Sequence, residues 1–144
     1  NPNSSMDEII DAAKLAQIDL EIRKFENGYG TILGERGVTL SGGQAQRISI
    51  ARSFIKDSEI YLFDDCFSSL DSDTENRILK NLKNNFQKKT LIIISHRVSC
   101  VKDADNIIVL DNGKIIQSGS HNELIKNKGY YKDLYLKQNK EIND

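Results

Sequence analysis

Leu40-Ser41-Gly42-Gly43-Gln44, read together with the apolar run Ile60-Tyr61-Leu62-Phe63 and the acid pair Asp64-Asp65, decides how this chain is organised. Between them, Ala45 to Phe54 interleaves small, apolar and basic residues. That spacing predicts an amphipathic helix with Ile48, Ala51 and Ile55 inward and Gln46, Arg47 and Arg52 outward. A serine and two glycines at its start leave several backbone N–H groups unpaired at the positive end of the helix dipole. Such an end seats anions, phosphate above all, because glycine lets an oxygen approach the backbone and Ser41 adds a hydroxyl donor. The plainer reading is an ordinary capped helix start.

Ile60 to Phe63 reads as a short buried strand ending in carboxylates. In parallel α/β sheets ligands collect at the carboxyl ends of strands, so Asp64 and Asp65 emerge where chemistry is done. Adjacent acids on an extended backbone point to opposite sides. One would hold a Mg²⁺ ion through water while the other faces a nucleophile, the division of labour that phosphoryl transfer needs.

The bulk numbers bound the rest. With 144 residues, 38% of them hydrophobic and 28% charged, the composition is that of one globular domain. A net charge of −1 argues against a nucleic-acid footprint. No apolar run approaches the roughly 20 residues of a membrane span, and no signal peptide is evident. Met6 is the only methionine, so the sequence reads as an excised piece. Cys66 and Cys100 form no metal or redox spacing and read as reduced structural thiols.

Local signals place the remaining elements. Ser5, with Asp7 and Glu8 behind it, predicts a helix cap, and Ile9, Ile10, Ala13, Leu15 and Ala16 an apolar face reaching to about Gln17. A short helix over Leu20 to Phe25 follows, and Asn27-Gly28-Tyr29-Gly30 opens a loop that runs to Val38. Ser72 to Phe86 repeats the helix-start chemistry, with Ile78, Leu79, Leu82 and Phe86 as its buried stripe. Thr90 to Ser95 is a near-continuous β-branched run, expected to be a strand covered on both faces, with His96 at its carboxyl end beside Asp64 and Asp65. A short helix near Val98 to Lys102 precedes a hairpin, Asn106 to Leu110 and Lys114 to Ser118, turning at Asp111-Asn112-Gly113. Ser120 caps a helix through Ile125 with Glu123 at the capping-box position, and a last helix runs from Tyr130 to Gln138.

Leu40-Ser41-Gly42-Gly43-Gln44 resembles the signature motif of ATP-binding-cassette (ABC) ATPases, and Ile60 to Asp65 their Walker B strand. Cys66-Phe67-Ser68-Ser69-Leu70-Asp71 is similar to the D-loop, and Ile94-Ser95-His96-Arg97 to the switch-histidine loop. Gly34-Glu35-Arg36-Gly37 resembles the loop just before the signature in ABC exporters. The motifs fall in family order at family spacing, over about Asn1 to Gln138.

The resemblance implies an α/β fold, the C-terminal part of a P-loop NTPase (RecA-like) ABC ATPase domain with a mostly parallel sheet. Residues 1–56 would form the helical (signature) subdomain, 57–138 the catalytic core, and 139–144 a tail. It implies ATP and Mg²⁺ as cofactors. Ser41, Gly42, Gly43 and Gln44 would grip the γ-phosphate of ATP held by the opposite protomer of a head-to-tail dimer. Asp64 would organise Mg²⁺, Asp65 would stand at the catalytic-base position, and His96 would contact the γ-phosphate and attacking water. Asp71 would cross the dimer interface. Read alone, His96 is as well a satisfied core histidine, and Asp71 a helix cap.

Two departures qualify this. The phosphate loop G-x-x-x-x-G-K-[ST] is absent: Gly37 and Gly42 have the glycine spacing, but Gly43 stands where lysine should be. In the family that loop, the adenine-stacking aromatic and the glutamine loop lie before residue 1. The chain alone should therefore bind ATP poorly, and its strands should lose neighbours and leave apolar faces and edges exposed. Second, the family's usual residue at position 65 is glutamate. Aspartate is shorter by one methylene, about 1.5 Å, and base catalysis needs a heavy-atom distance of about 2.6 to 3.2 Å. An aspartate beside an intact signature resembles one half of an exporter heterodimer with unequal sites.

The expected function is thus ATP hydrolysis in an ABC exporter half-transporter. Its partners would be a second nucleotide-binding domain, from a different subunit, and a transmembrane domain coupled through Gly34 to Gly37, with no nucleic acid. It would work at the cytoplasmic face of the inner membrane. The rivals are a soluble ABC-type ATPase of DNA repair or translation, and a fragment that interacts without turnover.

Overall fold

The computed structural model describes residues 3–34 and 37–141. Glu35 and Arg36, the centre of the exporter-like loop, lie outside the described residues. The chain is mixed α/β and forms two compact units, one ending at Ile94 and the other starting at Ser95.

The first unit opens with α1 (Met6–Leu15) and α2 (Asp19–Ile22), then α3 (Gly42–Phe54), β1 (Ile60–Asp64), α4 (Ser72–Asn85) and β2 (Thr90–Ile94). Each long helix starts at a side chain that replaces a missing backbone acceptor. Ser5 Oγ accepts the Glu8 N–H while the Glu8 carboxylate accepts that of Ser5. Ser41 and Gln44 do the same for α3, which therefore begins at Gly42, earlier than the expected Ala45. Asp71 Oδ1 accepts the Thr74 N–H at 2.9 Å to start α4.

α1 buries Ala12 and Ala13, small residues that let α3 approach with Ile50 and Ala51. α3 buries Ala51 as expected, and Ile50 beside it, whereas Ile48 is only half-buried. Arg47, expected outward, turns inward: its guanidinium donates to Glu21 Oε1 at 2.6 Å and to the Gln17 carbonyl at 2.7 Å. A long aliphatic stem covering apolar surface, with a charged head finding a carboxylate, explains the reversal. Aromatic edges close the other side of this core, with the Phe54 and Tyr61 rings each 5.0 Å from Phe86.

β1 and β2 pair in parallel, Ile60 opposite Thr90 and Asp64 opposite Ile94. β1 alternates strictly, Tyr61 and Phe63 buried and the residues between them exposed. β2 is not covered on both faces. Ile60 and Leu62 are 61% and 62% exposed, and Ile92 and Ile94 46% and 49%. Two strands with one layer of helices leave the second face bare, as expected for strands that lack neighbours.

The second unit carries α5 (Val98–Val101), β3 (Ile107–Asp111), β4 (Lys114–Gly119), α6 (His121–Leu124) and α7 (Tyr130–Glu141). β3 and β4 form an antiparallel hairpin with a register shift at Val109/Leu110. Among the described residues there is thus one parallel and one antiparallel strand pair. The core of this unit is Val98, Ile107, Leu124 and Tyr131. The Glu123 carboxylate accepts both the N–H and the hydroxyl of Ser120 at the start of α6. No helix among the described residues is long and apolar enough to cross a membrane.

Glu21 ties α2 to the start of α3. Burial pushes its carboxyl up, but hydrogen bonds from Arg47 and Gln44 and the Arg47 charge outweigh this and hold it below its ordinary value of 4.5. A depressed carboxyl stabilises the fold above its unfolded value, and that contribution disappears as pH falls through the folded one. Glu21→Ala, which leaves Arg47 without its carboxylate partner, should cost about 1–2 kcal/mol in urea unfolding at pH 7. The difference from wild type should shrink below pH 4.5. Equal stability of the two at pH 7 would contradict this. The bare strand faces carry a second expectation. The 144-residue chain by itself should bind an apolar dye and associate with rising concentration in light scattering. A monodisperse monomer with a cooperative calorimetric transition would contradict it.

Candidate functional site

At the tip of α3 the first-turn amides are the available donors. Gln44 N–H is taken by Ser41 Oγ at 3.2 Å, and Ala45 N–H by the Ser41 carbonyl at 2.9 Å. Gly42 and Gly43 N–H have no partner among the described residues, and Ser41 and Gly42 are exposed. The Gln44 side chain is engaged at both ends: Oε1 accepts the Ser41 N–H at 2.9 Å, and Nε2 donates to Glu21 Oε2 at 2.9 Å. The groups facing outward are therefore the Ser41 hydroxyl and two glycine amides, at the positive end of a 13-residue helix.

Both glycines lie close to a neighbouring loop. A Cβ on Gly43 would lie 3.0 Å from the Ser69 carbonyl oxygen, and one on Gly42 3.3 Å from Ser69 Oγ. The loop after β1 thus rests directly on the tip of α3. Gln46 fastens the two: its Nε2 donates to Ser68 Oγ at 3.0 Å, and its Oε1 accepts the Ser69 N–H at 2.9 Å.

The same loop begins at the acid pair. Asp64 is the last residue of β1, and its exposed carboxylate makes no hydrogen bond among the described residues. Asp65 leaves the strand: its φ is +46°, in the left-handed region that aspartate tolerates better than most residues. Its N–H still reaches the Ile94 carbonyl at 2.9 Å, and its own carbonyl accepts the Ser68 hydroxyl at 3.0 Å. The backbone is not extended through both acids as expected; it leaves the strand conformation at Asp65. Asp71 ends the loop as the cap of α4, and the Thr74 N–H holds its carboxyl below the usual range. The helix-cap geometry read as the plainer alternative for Asp71 is thus present.

The first unit therefore brings Ser41, Gly42, Gly43 and Gln44 against the loop that links Asp64 and Asp65 to Asp71. His96 belongs to the second unit, where it is exposed and its carbonyl accepts Gln138 Nε2 at 2.8 Å. The Gln138 Oε1 in turn accepts the Val98 N–H at 2.8 Å, and Ser95 Oγ the Arg97 N–H at 3.0 Å, so the histidine's backbone is held on both sides.

Sequence reasoning did not single out Gln46, Glu21 or Arg47 as parts of this arrangement. Gln46 gave a weak signal, an amide two residues beyond a capping pair. Glu21 and Arg47 stand 26 residues apart and gave none.

A family profile described as "ABC transporter" matches residues 1–68. The multidrug resistance-like ATP-binding protein MdlA of Buchnera aphidicola is 52% identical over 135 residues, 93% of this chain and 23% of that protein. The alpha-hemolysin translocation ATP-binding protein HlyB of Escherichia coli O157:H7 is 48% identical over 139 residues, 96% of this chain and 20% of that protein. A solved structure of a bacterial Atm1-family ABC exporter with ATP bound superposes with a TM-score of 0.90 at 40% identity, covering 96% of this chain and 24% of that one. The chain thus spans between a fifth and a quarter of the length of these relatives. The family motifs, the matching profile and the shared fold lead to one conclusion: the chain belongs to the ABC transporter family and represents part of its ATP-binding domain.

Proposed function

We propose that this chain is part of the ATPase of an ABC exporter, in which its α3 tip binds ATP anchored on a second nucleotide-binding domain. The observation that carries the reading is the pair of unpartnered glycine amides beside the Ser41 hydroxyl, set on the loop that follows Asp64. Relatives named as export or translocation ATP-binding proteins favour this over a soluble ATPase of DNA repair or translation. The partners would be a second such domain in a head-to-tail dimer and a transmembrane domain, at the cytoplasmic face of the inner membrane. Residues 1–56 would serve as the signature-bearing part and 57–138 as the catalytic part.

Each residue then has a task. Ser41 and the amides of Gly42 and Gly43 stabilise charge on the terminal phosphate without reorganising, since the helix fixes them beforehand. Gln44 holds that tip in shape through its bonds to Ser41 and Glu21. Asp64, exposed and without a competing hydrogen bond, suits Mg²⁺, which takes one or two carboxylates and completes its shell with water and phosphate oxygens. Bound there, Mg²⁺ would neutralise phosphate charge. His96 orients the attacking water and contacts the terminal phosphate. Asp71 sits at the crossing of the two domains while capping α4.

Asp65 faces its own subunit's nucleotide with a carboxylate one methylene short of the usual base. The subunit is thus one half of a heterodimer in which its own Walker B site turns over slowly and its signature completes the competent site.

The test uses the full-length protein with its partner subunit. Ser41→Arg should lower ATP turnover by about 10²-fold, the scale of losing a preorganised anion donor. Asp65→Glu should raise turnover, by about tenfold or more if a base is restored. Turnover unchanged in both variants would refute the assignment.

A further inference from the structure

The contacts of Gln46 reach further than helix packing requires. Its amide engages Ser68 and Ser69, residues that lie between the acid pair and Asp71. Ser68 in turn donates its hydroxyl to the Asp65 carbonyl at 3.0 Å, with the Ser68 N–H at 3.4 Å from the same oxygen. A continuous chain of hydrogen bonds thus runs from one turn inside α3, through Gln46 and Ser68, to the residue at the base position. Beside it, Ser69 touches both glycines of the α3 tip. Gln46 is half-buried on the helix surface, so its amide is not needed to fill a core.

We infer that Gln46 is a positioning residue that locks the Asp65–Asp71 loop to the α3 tip and so couples the two ATP sites of the dimer. This rests on the functional reading above, in which the tip of α3 serves the partner's nucleotide and Asp65 the chain's own. One side chain then makes the geometry of each site depend on the other within a single subunit. The planar amide is suited to this because it donates and accepts at once. It holds the Ser69 N–H, and it leaves the Ser68 hydroxyl proton directed at Asp65.

The experiment reads the link without relying on catalysis. In the full-length, nucleotide-free protein, Gln46→Ala should speed amide hydrogen exchange of the segment holding Ser69 by about tenfold, since one protecting bond is lost. Exchange within α4 should stay unchanged. In the ATPase assay with the partner subunit, kcat should fall by about tenfold while KM for ATP stays within about twofold. Gln46→Ala combined with Ser68→Ala should cost less than the product of the single effects, since both break one chain. Gln46→Glu keeps the bulk and an acceptor for Ser69 but has no donor for Ser68. It should retain Ser69 protection and still lower kcat, which keeps the test open if the alanine variant does not fold. Wild-type exchange and kcat in Gln46→Ala, or wild-type kcat in Gln46→Glu, would overturn the inference. If Ser41→Arg also leaves turnover unchanged, the functional reading fails; if Ser41→Arg lowers it, only the coupling role of Gln46 fails.

Discussion

The close approach of the Ser69 carbonyl to Gly43 is the constraint from which the rest of the first unit follows. At 3.0 Å from where a Cβ would stand, that oxygen admits only glycine without displacement of backbone. The same absence of side chains opens the tip of α3 to an anion. One pair of glycines would thus meet two demands in the proposed function, a loop resting on one side and a phosphate on the other. A side chain at Gly43 would need the Ser69 carbonyl to give by a few tenths of an ångström.

Around that contact the chain spends its polar groups on rigidity. Gln44 gives both ends of its amide to Ser41 and Glu21, and Glu21 gives its second oxygen to Arg47. The result is a helix start held from behind by a second helix, with its donors already aimed. Preorganisation of this kind is what makes fixed dipoles effective on developing charge. The exposed strand faces are the complement of this corner: the helices cover Tyr61 and Phe63, while Ile60, Leu62, Ile92 and Ile94 on the strands stay exposed.

Much of this was legible because it is local. Ser5, Ser41 and Asp71 each precede their helix by one residue and accept an amide three residues on, so these caps could be read locally even where the first helical residue was misplaced. The hairpin turn at Asn112-Gly113 was readable for the same reason, whereas β1, expected to be a buried strand, alternates and leaves Ile60 and Leu62 exposed. What escaped depends on distant partners. Arg47 looks solvent-facing by helical spacing and turns inward only because Glu21 is there. A β-branched run at Thr90–Ile94 signals a doubly covered strand, yet coverage depends on distant layers, and Ile92 and Ile94 are exposed. The left-handed turn at Asp65 is one that aspartate tolerates but does not announce, and it ends the extended backbone between the two acids.

The central claim is that the α3 tip reaches a triphosphate anchored on another domain while Asp64 and Asp65 serve the chain's own pocket. A structure of the full-length assembly trapped with ATP tests this most directly. The account predicts Ser41 Oγ and the Gly43 amide within hydrogen-bonding distance, about 3 Å, of the terminal phosphate held by the opposite domain. A tip turned away from any terminal phosphate, or a phosphate held by the same chain, would contradict it.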